Sequence, residues 1–349
     1  MRAAILEKLG GPLVVRDLAR PRPGQRDVLV EVRACGVLLT LVWSRDRKRH
    51  DHLPRILGHE ISGVVAEVGA DVDGIRPGER VAVYYYLTCG SCPWCLRGRE
   101  NLCEDMRGHV GREIDGGLAE YVVVPAANVC RVPEQVGFVD AAVAADAIGT
   151  ALHVLTNRAR LEPGETVLVV GGAGGVGVHV VQIARLLGAR VIAVDISAEK
   201  LACAVDAGAD DVIDASACAF DDEARRLTRG RGVDVVVEMV GTDETLVRSA
   251  ASVGRGARLV LVGSYDRDAT LPLRHDTLRG EGSVLGSQYC TRFDVERALG
   301  LVAAGRVRPI VPHLCDLDDV DETLRRIEQM ELAGRACVVL GDGPLAASG

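Results

Sequence analysis

Two rhythms of apolar and polar positions divide the chain. Up to about residue 150 the apolar runs are short and β-branched, and turn residues separate them: Leu13–Val15, Val28–Val32, Gly63–Val68, Val81–Tyr86 and Tyr121–Val124. Such runs predict strands, and the N-terminus, MRAAILEKLGG, reads as the start of another. From about Thr150 the rhythm changes. Candidate strands Thr166–Val170, Arg190–Val194, Asp211–Ile213, Val233–Glu238, Arg258–Val262 and Ser283–Gly286 alternate with helical patterns such as Val178–Leu187 and Ala198–Ala207. That alternation predicts a doubly wound parallel sheet. After about Tyr289 a helix (Phe293–Ala304), a strand (Val307–Val311), a helix (Val320–Glu331) and a strand (Ala336–Leu340) are expected, with a frayed tail beyond. The fold class is therefore α/β, with a β-rich part over 1–150, a parallel-sheet part over 151–288 and a C-terminal segment over 289–349.

Composition narrows the picture a little. A chain of 349 residues suffices for two domains. The net charge of −8 gives no support to a nucleic-acid partner. No apolar run nears the ~18 residues that span a membrane, and no secretory leader is read at the N-terminus. Aromatics make up 3%, so Val, Leu, Ile and Ala must build the core. RDRKRHDH (Arg45–His52) has little apolar periodicity and reads as a solvated basic loop.

The chemistry concentrates first in TVLVVGGAGGVG, from Thr166 to Gly177. An apolar strand runs into a glycine turn that opens a helix, and Gly172, Gly174 and Gly177 fit G-x-G-x-x-G. Gly172 allows the tight turn, Gly174 lets backbone approach a pyrophosphate, and Gly177 lets helix pack on strand. Gly175 and Val176 complete the turn at a helix N-terminus, which favours phosphate. Asp195 ends the next apolar run. A carboxylate there binds the ribose hydroxyls of NAD and repels a 2′-phosphate. No arginine follows at once; Ser197 and Lys200 are the nearest polar candidates. The expected cofactor is NAD(H) rather than NADP(H).

A second concentration is Cys89, Cys92, Cys95 and Cys103, in the spacing C-x2-C-x2-C-x7-C. Four thiolates can close a tetrahedron around zinc and leave no open position, which makes the site structural. An iron–sulfur cluster is the chemical alternative. The other seven of the eleven cysteines (Cys35, Cys130, Cys203, Cys218, Cys290, Cys315 and Cys337) read as small core residues. Clustered thiols point to a reducing compartment, with the cytoplasm as the default.

Together, GHEISGVVAEVG (58–69), the cysteine lobe, DGGLAEYVVVP (115–125), the glycine turn and GRACVVL (334–340) resemble the medium-chain dehydrogenase/reductase superfamily, in its zinc alcohol dehydrogenase branch. The resemblance covers nearly the whole chain. It implies a GroES-like catalytic domain and a Rossmann domain with a cleft between them. It also implies one structural zinc in the lobe, a small-molecule substrate, no nucleic-acid or membrane partner, and a homodimer or homotetramer. Val240, Val262 and Ser264 would lie near the nicotinamide.

The resemblance also implies a catalytic zinc, held by a cysteine after an ACGV-like strand, by the histidine of GHE and by a cysteine or aspartate further on. The usual motif is C-G-V-C-H-T-D-x-H. Here the stretch from Cys35 reads CGVLLTLVW, so Leu38, Leu39, Leu41 and Trp43 replace the polar positions and only Thr40 remains. His59 and Asp146 match two ligand positions, and Glu60 would have to swing in to make a third. Three protein ligands are the norm for such a site, so the expectation is that no catalytic zinc binds, that His59 and Asp146 hydrogen-bond to each other, and that Leu38 and Trp43 line an apolar pocket, with plain core packing as the alternative for both. One of Tyr84, Tyr85 and Tyr86 is a further candidate proton donor.

Three functions follow as rivals. The first is a nicotinamide-dependent reductase of an activated C=C or C=N bond. The second is an alcohol/carbonyl dehydrogenase with an atypical His59/Glu60/Asp146 zinc site. The third, of another class, is a catalytically silent nucleotide-binding protein.

Overall fold

The long strand Asp27–Val37 organises the N-terminal part of the chain. Every second residue or more along it is buried, and it pairs antiparallel with three partners: Ile61–Val68, Tyr121–Pro125 and, from the far end of the sequence, Ala336–Val339. The seven-stranded sheet so formed continues to Arg80–Val83 and Val129–Arg131 on one side and to His313–Cys315 on the other. A smaller antiparallel sheet joins Leu13–Asp17, Arg2–Leu6 and Arg55–Ile56. One continuous apolar cluster, from Ala3 to Leu340, holds these strands together.

The computed structural model describes residues 1–46, 53–263, 268, 270–271 and 280–341. It divides into two compact units, Met1–Gly149 together with the segment from Thr291 onward, and Thr150–Cys290. In the second unit six parallel strands follow the order Asp211–Asp214, Arg190–Asp195, Thr166–Val170, Val233–Glu238, Val253–Leu261, Ser283–Gly286. The chain starts in the middle, works to one edge and then crosses to the other, which is the doubly wound topology. Thr166–Val170 is buried at every residue, as a central parallel strand should be.

Several elements differ from expectation for identifiable reasons. The run Val307–Val311 is not a strand; the strand is His313–Cys315. Pro309 and Pro312 lack the N–H groups that a ladder needs. The expected strand Val81–Tyr86 ends at Val83, and a separate two-residue strand, Tyr86–Leu87, pairs with Gly108–His109. Leu39–Asp46 is a helix rather than a loop, with Thr40 in its first turn; residues 47–52 of the basic cluster lie outside the described residues, as do Ser264 and the tail from 342.

The largest surprise is a helix over Phe138–Arg158 that apolar periodicity did not announce. It is long and apolar enough to cross a membrane, contrary to the expectation that no stretch is, yet 83% of its most apolar window is buried inside the protein. A helix buried all round carries no amphipathic stripe. It relaxes into π-helical turns at Ala144–Ile148 and His153–Arg158. Such turns are common at functional sites, and Asp146 sits in the first.

Close packing sets one glycine absolutely. Gly177 opens the helix Gly177–Leu186 directly over the turn, and a Cβ there would overlap the Gly171 carbonyl. Gly177→Ala should therefore push the helix off the strand. Overpacking of this kind costs about 1–3 kcal/mol. The expected result is a lower melting temperature and NADH affinity weakened at least tenfold in a fluorescence titration; unchanged affinity would show that the turn yields.

Candidate active site and metal centre

The cysteine lobe is assembled by tight local turns. Helix Pro93–Leu96 carries Cys95, Cys92 caps it, and the turn at Glu100–Leu102 delivers Cys103. The Sγ–Sγ separations run from 3.5 to 4.0 Å. A zinc with four bonds of 2.3 Å has edges of roughly 3.8 Å, so the four sulfurs fit that ion as they stand. Backbone N–H groups of Ser91 and Cys92 point at Cys89 Sγ and pull its pKa down to about 6, while burial pushes Cys95 up to about 12. A cation in the lobe would release the protons that the second pair holds. Among the described residues this is the only group of three or more such ligands whose donor atoms lie within 4.8 Å of one another.

Two of the scattered cysteines depart from expectation. Cys218 is exposed and Cys203 half-buried, whereas Cys35, Cys130, Cys290, Cys315 and Cys337 are core residues.

In the parallel-sheet unit the turn Gly172–Gly177 lies at the carboxyl end of the central strand. Asp195 closes the neighbouring strand and is 7% exposed. Its Oδ2 accepts from Ala173 N–H at 3.0 Å and its Oδ1 from Ile196 N–H at 2.9 Å, so the acid and the glycine turn are tied together. Lys200 Nζ stands 3.8 Å from Asp195 Oδ1, and Ser197 caps the helix that carries it. On the other side of the turn, the buried Glu238 accepts from Val240 and Gly241 N–H, and its carbonyl accepts from Val262 N–H. Val240, 39% exposed, is thus held at the strand ends beside the glycine turn. Glu238 and the Ala173 N–H were missed in the sequence; a carboxylate ending the apolar run VDVVVE was the available signal.

The catalytic candidates come together in the N-terminal unit. His59 and Asp146 are each 5% exposed, and His59 Nε2 lies 3.3 Å from Asp146 Oδ2, the expected pair. Glu60 is fully buried. Its Oε1 accepts from Arg335 Nη2 at 2.8 Å, and its Oε2 lies against Gly36, where any Cβ would overlap it. Arg335 was not singled out in the sequence; it reaches Glu60 because the last strand pairs Cys337 with Gly36. Burial, eased by the Arg335 charge and reinforced by nearby Asp146, pushes Glu60 up to about 8.

Other candidates separate. Thr40 Oγ1 is buried and makes no hydrogen bond among the described residues. Leu38 and Leu41 are 4% and 1% exposed and belong to the main core cluster, so Leu38 packs instead of lining a pocket. Trp43 stays half-buried. Tyr85 stacks on His59, with ring centroids 4.4 Å apart.

Comparison with known proteins places this arrangement. Residues 24–134 match the alcohol dehydrogenase GroES-like domain and residues 175–304 the zinc-binding dehydrogenase family. An alcohol dehydrogenase of Geobacillus stearothermophilus is 34% identical over 97% of this chain and 99% of its own. The chain belongs to the zinc-binding alcohol dehydrogenase family. An acryloyl-coenzyme A reductase of Metallosphaera sedula is similar too, 33% identical over 96% of this chain and 98% of the relative. Among solved structures, an NAD-dependent alcohol dehydrogenase superposes with a TM-score of 0.90 at 34% identity, covering 98% of this chain and 100% of the other. The chain is accordingly an NAD(P)-dependent oxidoreductase of the medium-chain type that carries a lobe suited to zinc.

The raised Glu60 gives a pH prediction. The native state keeps a proton that the unfolded chain releases near 4.5, so this group's contribution to stability falls as pH rises from about 4.5 through about 8. The slope is at most roughly 1.4 kcal/mol per pH unit. Glu60→Gln removes that slope. The wild-type melting temperature should drop relative to the variant across the window; parallel curves would show that Glu60 titrates normally.

Proposed function

We propose that this chain uses NADH to reduce an activated C=C or C=N bond of a small organic substrate, without a catalytic zinc. The observation that carries the reading is the His59–Asp146 hydrogen bond beside a Glu60 clamped by Arg335. The two residues that match ligand positions engage each other, the third is held away by an arginine, and the fourth position is a core leucine. A zinc-free site lacks the Lewis acid that makes an alkoxide from an alcohol at neutral pH. It can still serve a conjugated acceptor, because charge then builds on a carbonyl oxygen or nitrogen that hydrogen bonds can hold.

Bound dihydronicotinamide supplies the hydride. Thr40, whose buried hydroxyl has no hydrogen-bond partner among the described residues, would donate to the substrate oxygen. Asp146 fixes the His59 ring, and His59 supports the developing charge. Asp195, already ordered by two N–H groups, suits the ribose hydroxyls of NAD and repels the 2′-phosphate of NADP. One zinc per chain, in the cysteine lobe, and assembly as a homodimer or homotetramer belong to the same proposal, the latter on the family resemblance.

A second reading has specific support in the relatives named alcohol dehydrogenase. In it His59, Glu60 and Asp146 rearrange around a second zinc. The two readings separate on products. With NADH and trans-2-hexenal the expected product is hexanal, formed at least tenfold faster than NAD-linked oxidation of 1-hexanol, with catalytic efficiency for NADPH at least tenfold lower. Formation of hexenol, or alcohol oxidation as the faster reaction, supports the alcohol dehydrogenase reading. No turnover with enals, cyclic imines, ketones or alcohols supports a silent nucleotide binder.

A further inference from the structure

The segment Tyr84–Tyr86 holds half of the six tyrosines in the chain. Its backbone is fixed from two sides. The buried Asn128 side chain donates to the carbonyls of Tyr84 and Tyr86 at 2.8 Å each, and Val110 N–H donates to the Tyr85 carbonyl at 3.0 Å. So fixed, Tyr84 and Tyr86 are 3% and 2% exposed, while Tyr85 between them is only half-buried. The Tyr85 ring is in tilted contact with two imidazoles, its centroid 4.4 Å from that of His59 and 4.8 Å from that of His109. Each imidazole is held by a carboxylate: His59 by Asp146, and His109, through Nδ1, by Glu113 Oε2 at 2.8 Å. Both neighbours of the Tyr85 ring are thus themselves anchored.

Reduction of a conjugated double bond needs an acid as well as a hydride. Hydride addition at the β carbon breaks the C=C π bond, and its electron pair moves through the carbonyl to leave an enolate. A proton must then reach the α carbon to give the saturated carbonyl. The groups around His59 differ in their fitness for that task. Thr40 has an aliphatic hydroxyl, a hydrogen-bond donor but a very weak acid. Glu60 is fully buried under Gly36 and engaged by Arg335. Asp146 is buried and turned to His59, whose Nε2 is thereby occupied. Tyr85 carries a phenol, a far stronger acid than an aliphatic hydroxyl, and it is half-buried rather than enclosed, so solvent can return the proton afterwards. An enolate is a stronger base than a phenolate, so the transfer runs downhill.

We propose that Tyr85 delivers its hydroxyl proton to the α carbon of the substrate, with His59 and His109 holding the ring in place. This rests on the reading of the site as a reductase of activated double bonds. The O–H bond of Tyr85 breaks, the α C–H bond forms, and the phenolate is reprotonated from water.

The test compares wild type with Tyr85→Phe, which keeps the ring and its packing, on NADH and (E)-2-methyl-2-pentenal in D2O. General acid catalysis is worth about 10²–10⁴-fold. The expected result is a fall in kcat of at least 10²-fold, with KM and NADH affinity within threefold. Deuterium should enter the α carbon in one configuration with wild type and in both with the variant. A variant with kcat within threefold of wild type overturns the proposal. So does a fall in kcat with the single configuration retained, since that is a packing effect. A wild type that does not reduce the enal removes the reductase reading itself, and the proposal with it.

Discussion

The hydrogen bond from Arg335 to the Glu60 carboxyl is the contact on which the candidate site in the N-terminal unit depends. It lies in a fully buried position and joins two residues 275 apart in sequence. A lone buried charge is strongly destabilising, whereas a paired one is tolerated. Both ends are therefore constrained. Gly36 must have no side chain, because Glu60 occupies the space. The C-terminal strand must return and pair beside Gly36, because it brings Arg335. The chain's last ordered strand is thus part of the candidate active site.

That clamp decides how the neighbouring polar groups are used. Glu60, held by Arg335 and raised toward neutral pH by burial, is pinned in the core next to Asp146. Asp146, set in a π-helical turn, faces His59. His59 in turn packs against Tyr85, which is also in contact with His109. The result is a row of positioned polar and aromatic groups running from a buried arginine to a partly exposed phenol. Such preorganisation favours chemistry in which charge is held by hydrogen bonds and a proton is delivered at a set point.

Legibility in the sequence followed the distance over which each signal acts. The glycine turn, the cysteine lobe and the alternation of the parallel sheet are local patterns, and each is found within a residue or two of where it was read, except that the strand read as Arg258–Val262 begins five residues earlier, at Val253. The His59–Asp146 pair was anticipated because the resemblance fixed both positions. Arg335 was invisible as a partner, since nothing local to it points to Glu60. The helix Phe138–Arg158 was hidden because it is apolar on every side. Val307–Val311 looked like a strand by composition, and only Pro309 within it and Pro312 after it argued otherwise. Leu38 was read as pocket lining because it replaces a ligand, yet its neighbours are core side chains.

The central claim is that the polar row, and not a metal, carries the chemistry in the N-terminal unit. Zinc content of the purified chain, measured by elemental analysis before and after Cys95→Ser, tests it most directly. The account predicts about one zinc per chain, lost when the lobe cysteine is replaced. Two zincs per chain, or one that survives Cys95→Ser and whose chelation abolishes turnover, would contradict it.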